Sequence, residues 1–266
     1  MPTRKPVSRM KKTTTSKMGY GWSPDLPDRR DILYSAVYGL QPTLPPRVDL
    51  RPKCSLVENQ GALGSCTGNA LAGALEYLEI KDKVHFVDLS RLFIYYNERV
   101  IENTVKSDAG ARLRDGIKTL AKQGVCSERT WPYRISRFSV KPLAACYKEA
   151  AQHQITSYQR LRTVDEMRAC LAGGFPFVFG FTVYESFESQ AVAKSGVVSM
   201  PQAGERVVGG HAVLAVGYDD GGTRFIVRNS WGKNWGQQGY FTMPYDYLAD
   251  WQLAGDFWTI RRGGKI

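Results

Sequence analysis

In NQGALGSCTGNALAGALEY, residues 59–77, a single cysteine stands directly before a helical pattern and six positions after a glutamine. Ala70, Leu71, Ala74, Leu75 and Leu78 recur at helical spacing, which predicts a helix over 67–80 with one buried face. Cys66 therefore opens that helix. The unpaired amides and positive dipole end of a helix N-terminus favour a thiolate over a thiol. Gly61, Gly64 and Ser65 leave the approach open to a peptide backbone. Gln60 offers a side-chain amide that, with the Cys66 N–H, can hold the oxyanion of an acyl intermediate. A cysteine packed at a helix start for its size alone gives the same local pattern, so a base must be found elsewhere.

The chain has three histidines. His85 (KDKVHFVD) and His153 (AAQHQIT) sit in polar stretches and read as solvated surface residues. His211, in VVGGHAVLAVGY (207–218), begins an apolar strand behind two glycines, a strand end where a cleft can form. Asn229 follows in VRNSWGKNWGQQGYF (227–241), able to bond the second ring nitrogen of His211 and fix the imidazole. Trp231 is placed to cover that bond. Trp235 and Gly239 fit a tight hairpin with aromatic packing.

Around these motifs the chain changes character. LSRLFIYYNERVI (89–101) has Ser90 as a helix cap, RLRDGIKTLAKQG (112–124) stops at Gly124, and TVDEMRACLAGG (163–174) opens with a Thr163–Glu166 capping box. FPFVFGFTV, SGVVSM, GHAVLAVGY, TRFIVRNS and GYFTMPY then read as strands divided by turns. Helices fill the first half and strands the second. The economical architecture is α+β, two lobes with a cleft between them, and it contains no phosphate-binding glycine loop.

The 266 residues carry a net charge of +11, and Arg4, Lys5, Arg9, Lys11, Lys12 and Lys17 supply six of those charges where there is no acid. Residues 1–43 therefore read as a basic extension rather than a domain. No nucleic-acid fold signature accompanies the charge, so a nucleic-acid partner is not expected. No apolar run reaches membrane-spanning length and no secretory signal is visible, giving a cytoplasmic location by default. Five cysteines is an odd number, with no C-x-x-C and no zinc-site spacing, so neither metal nor cofactor is expected. Cys126 and Cys146 either bridge the intervening loop or stay reduced, the second being expected in a reducing compartment.

The three blocks Gln60…Cys66, GGHAVLAVGY and NSWGKNWGQQGYF, in this order, resemble the signature of papain-like (C1) cysteine peptidases of bacterial type. LPPRVDLRPKCSLVENQG (44–61) resembles the start of that family's mature domain, and the likeness extends over about 44–258. It implies a papain-like fold with a helical left lobe (about 54–150) and an antiparallel β-barrel right lobe (about 151–258), within a peptidase domain of 44–266. It implies Cys66 as nucleophile, His211 as general base and acid, Asn229 as orienter and Gln60 as oxyanion donor. Gly110, in SDAGAR, corresponds to a glycine that pairs with substrate backbone, and Gly64, Ser65, Gly210 and Trp231 would line the cleft. Gly180, Gly209 and 245–251 are expected to shape the specificity pocket. Partners would be protein or peptide substrates, and the chain itself a monomer. The extension's Tyr20, Trp22, Pro24 and Pro27 leave two readings open: a segment lying along the cleft that holds the enzyme latent, or a disordered tail with a strap over the outer surface.

Three departures stand out. Thr67 replaces the tryptophan usual after the nucleophile, Leu63 replaces a disulfide cysteine, and no histidine pair precedes Gly110 to clamp a substrate carboxylate. The last points to endopeptidase action. Acyl transfer to an amine uses the same residues and stays open on sequence alone, whereas the intact Gln60, Cys66, His211 and Asn229 argue against a catalytically silent binding frame.

Overall fold

The structure is a computed structural model that describes residues 19–39 and 43–263. The basic cluster 4–17 thus lies outside the described residues.

The helix that Cys66 opens, α2 (Cys66–Lys81), follows a short N-terminal helix α1 (Tyr34–Val37) and a three-residue strand β1 (Arg47–Asp49). Every residue of α2 from Cys66 to Glu79 is buried, where the spacing predicted one buried face. The reason is position: α2 is wedged between α3 (Arg91–Glu102) and α4 (Leu113–Lys122) on one side and the sheet on the other. Its small residues permit this, since a Cβ on Gly68 would collide with the Arg91 carbonyl. The two carboxylates in its buried stretch are satisfied. Glu76 accepts from Leu89 N at 3.0 Å and from the Ser55 hydroxyl, and burial pushes its carboxyl up to about 7. Glu79 meets His153 Nδ1 at 2.7 Å. His153 is thus buried and paired, not solvated, because the turn after α5 (Ala144–Ala150) folds back onto α2. His85 is exposed as expected. Leu75→Ala, at a side chain with no exposure, is expected to cost about 2–5 kcal/mol of stability, read from urea unfolding.

The remaining elements are β2 (Ser157–Arg160), α6 (Val164–Ala172), β3 (Phe177–Tyr184), α7 (Gln190–Ser195), β4 (Val207–Asp219), β5 (Arg224–Arg228), β6 (Tyr240–Pro244), α8 (Tyr245–Ala249) and β7 (Ala254–Arg261). The strands run β2-β7-β3-β4-β5-β6 in one antiparallel sheet, with β1 added to β4. One hydrophobic cluster is centred on the helices and a second on the sheet, with α2 packed against β4 between them. The Ser90 hydroxyl caps α3 by accepting from Phe93 N at 3.2 Å. Thr163 caps α6 through Glu166 N, but the Glu166 carboxylate accepts from Arg162 N at 2.6 Å, one residue earlier than a capping box requires.

SGVVSM is not a strand. Its first residue ends α7, Gly196 turns the chain with φ +64°, and only Val197 makes a bridge, to Thr242. The five cysteines are free, with Cys126 and Cys146 both buried and unbridged. Among the described residues no helix is long and apolar enough to cross a membrane, and no cluster of three potential metal ligands occurs.

Candidate active site

Cys66 is the first residue of α2, and the nearby backbone amides of Ala212, Gly21 and Thr67 pull its thiol toward the thiolate. Ala212 follows His211 on β4, so the packing of β4 on α2 brings the imidazole and the thiol to the same cleft. The tautomer of His211 follows from its partners. Asn229 Oδ1 accepts from Ser230 N at 2.8 Å, so it is the oxygen of the amide; it lies 2.8 Å from His211 Nε2. Nε2 must therefore carry the proton. Nδ1 is left with a free lone pair and no hydrogen-bond partner among the described residues. Trp231 stacks on the imidazole at 5.0 Å between ring centroids, shielding the Asn229 bond from water.

Gln60 is buried, and both amide hydrogens are aimed inward: Nε2 donates to Gly19 O and Leu63 O, each at 2.9 Å. Ser230 Oγ donates to Gln60 Oε1 at 2.5 Å and so fixes which way the amide faces. Ser230 was not singled out in the sequence, although it directly follows Asn229.

The first described residues fill this cleft. Gly19 N donates to Gly61 O at 3.3 Å, and Gly21 N and Trp22 N donate to Gly210 O at 3.1 and 3.0 Å. Ala111 N donates to Gly21 O at 2.7 Å and Ser23 N to Ala111 O at 3.1 Å, a parallel bridge. The alternation of glycines in GYGW is required here, because a Cβ on Gly19 would overlap the Leu63 backbone and one on Gly21 the Gly64 carbonyl. Tyr20 stands edge-on to His211 at 6.0 Å and its hydroxyl donates to Glu188 at 2.7 Å. Trp22 lies against Gly180 and Gly210, and Tyr20 against Gly209. Trp22 Nε1 donates to Asp256 Oδ2 at 3.2 Å.

This cover sets the electrostatics. Burial pushes the Cys66 thiol up to about 12 against the pull of the three amides, and burial lowers His211 to about 4 against the Asn229 bond. Burial thus opposes a thiolate–imidazolium pair in the covered cleft. Desolvation outweighs the helix dipole.

The sequence-predicted lining residues separate. Gly64 and Gly210 touch the segment in the cleft, and Trp231 faces His211 and Tyr20. Ser65 does not line the cleft: its hydroxyl is 2.5 Å from Tyr133 OH and receives Asn69 Nδ2, both inside the helical half. The rung that pairs with a strand in the cleft belongs to Ala111 rather than Gly110. Gly110, with φ +73° and its N–H on Tyr95 OH, is needed because a Cβ there would strike Gly21 O. Thr67 turns away from the cleft and donates to Glu98 at 2.7 Å. Asp256, at the end of the Trp22 pocket, was missed; an acid within the strand stretch AGDFWTIR carries no local sign that it faces a cleft.

Residues 44–254 match the family model described as papain family cysteine protease. The crystal structure of xylellain, a cysteine protease from Xylella fastidiosa, is similar with a TM-score of 0.86 and 46% identity, covering 94% of this chain and 98% of that one. An uncharacterized peptidase C1-like protein of Acanthamoeba polyphaga mimivirus is 43% identical over 275 residues, 94% of this chain and 88% of that protein. Pro-cathepsin H of Bos taurus is 31% identical over 214 residues, 74% of this chain and 59% of that protein.

Proposed function

Because the chain belongs to the papain family of cysteine proteases, we propose that it cleaves internal peptide bonds with Cys66 as nucleophile, and that its own residues 19–31 hold it latent. The observation that carries the mechanism is the proton placement on His211. With Nε2–H held by Asn229, Nδ1 is the atom free to take the Cys66 proton. The thiolate then attacks the substrate carbonyl, and the Gln60 amide with the Cys66 N–H carries the negative charge on its oxygen. Protonated His211 delivers its proton to the leaving amine. Water, deprotonated by the same nitrogen, hydrolyses the thioester.

Latency has a chemical basis beyond blockage. Gly19 O occupies the Gln60 donor, and Gly21 N–H is held by Gly210 O at 3.1 Å. The strap thus occupies the donor that a substrate carbonyl needs, and its cover works against the charged pair. No histidine pair precedes Gly110, which favours internal cleavage over carboxypeptidase action.

The test is thiol labelling of the full-length Trp22→Ala protein with an epoxysuccinyl peptide or iodoacetamide at neutral pH. Cys66 is expected to react alone among the five thiols, since burial raises Cys54, Cys126 and Cys170 with no imidazole at hand. Uniform labelling of all five by mass spectrometry would remove the activated dyad.

A further inference from the structure

Beyond the Trp22 pocket, the strap sets its acids on groups that belong to the enzyme body. Asp31 receives the fork of Arg114, with Nε to Oδ1 at 3.1 Å and Nη2 to Oδ2 at 2.6 Å, and Arg160 Nη1 at 2.9 Å. Asp25 Oδ1 accepts from Arg114 N at 3.1 Å and its Oδ2 from Trp258 Nε1 at 2.9 Å. The two guanidinium groups lie over the Trp258 ring, at 5.6 Å for Arg114 and 5.3 Å for Arg160. Arg114 also donates to the Leu26 carbonyl, and Arg112 Nε to Pro24 O at 3.3 Å. The strap leaves the Arg114 side chain only 7% exposed.

When the strap withdraws, the Arg114 guanidinium, an indole N–H and a backbone N–H lose these acceptors, and Arg160 loses Asp31. Among the described residues the acid that still touches them is Asp256, bound to Arg160 Nη2 at 2.9 Å. Two cations then face one anion. The fork geometry and the neutral donors between them suit carboxylates rather than amides. Asp25 itself shows how full this site is: burial first, and the Asp256 charge next, raise its carboxyl to about 6 while Trp258 and Arg114 pull it down.

We propose that in the strap-free enzyme this Arg114–Trp258–Arg160 receptor selects acidic peptides, binding Asp or Glu residues on the side of the scissile bond whose side chain fills the Trp22 pocket. The strap's acids then stand where the substrate's acids go. This rests on the peptidase and latency readings above and adds the substrate class to them.

The test uses the full-length chain with Trp22→Ala, Asp25→Asn and Asp31→Asn, which removes the plug and both acids while keeping their shape. Two fluorogenic peptides are compared, identical except that the residues on the pocket side of the bond are Asp and Glu in one and Asn and Gln in the other. The acidic peptide is expected to have about tenfold higher kcat/KM, a ratio that shrinks as NaCl is raised from about 50 to about 500 mM. Arg160→Gln in that background should bring the ratio close to one, and Arg160→Lys should keep part of it. The same peptides are titrated by fluorescence anisotropy into the variant that also carries Cys66→Ala. A Kd preference there without turnover in the active form would sink the catalytic reading and support the receptor. Equal Kd and equal kcat/KM for the two peptides, or a ratio that Arg160→Gln leaves unchanged, would overturn it.

Discussion

Cys66→Ala is expected to take peptide hydrolysis down by about 10⁴- to 10⁶-fold, to the background of the assay. The size follows from the absence of a stand-in. The two hydroxyls flanking the sulfur in sequence are both committed elsewhere, Ser65 to Tyr133 and Asn69, and Thr67 to Glu98. Neither can reach a carbonyl in the cleft without breaking a buried hydrogen bond. The substitution removes one sulfur and introduces no new contact, so thermal unfolding should stay close to that of the unaltered chain. That separation matters, because loss of activity with loss of fold would say nothing about chemistry. A variant within tenfold of the parent rate on a fluorogenic peptide would mean that another group performs the attack.

Trp22→Ala combined with Tyr20→Ala is expected to raise both peptide hydrolysis and the rate of Cys66 alkylation by about a hundredfold at pH 7.5. Tyr20 and Trp22 carry the apolar contacts of the strap in the cleft, one on His211 and Gly209, the other on Gly180 and Gly210. With them docked, burial holds the thiol up to about 12, so the protonated form is favoured at neutral pH. Water entering the vacated cleft removes the burial that is the largest cause of that shift. The helix amides and the His211 lone pair then favour the ion pair. The lower basicity of the released thiolate offsets part of the gain, which is why the expected factor is far smaller than the change in thiolate fraction. The sign is checkable by pH. Alkylation of the unaltered chain should keep climbing from neutral pH toward about 12, since its thiol keeps its proton until then, whereas the variant should be nearly level around neutral. Equal rates and parallel pH profiles for the two proteins would dispose of the strap as an inhibitor.

The residues proposed to do the chemistry were legible because each sits in a local pattern with a physical signature. A cysteine opening an apolar helix, a histidine opening an apolar strand and an asparagine before a tryptophan-glycine turn are readable one segment at a time. Strands β3 to β6 were readable for the same reason. By contrast β1, β2 and β7 were not foreseen: RVD and SYQR are three and four residues long, and β7 owes its place between β2 and β3 to pairing partners far away in sequence. SGVVSM failed in the other direction, having strand composition without a neighbour to pair along its length.

The amino-acid order by itself determined the α+β class, the family, and the set Gln60, Cys66, His211 and Asn229, since those rest on periodicity and on motif order. Only the tertiary structure decided what those residues experience. It buried α2 on every side, turned Ser65 and Thr67 into the helical half, gave Ala111 the backbone rung and put Asp256 at the end of a pocket. Above all it drew residues 19–31 through the cleft, where exclusion of water works against charge on the thiol and the imidazole. Periodicity is a property of neighbours along the chain, whereas solvation of a side chain is fixed by whatever distant segment comes to lie over it.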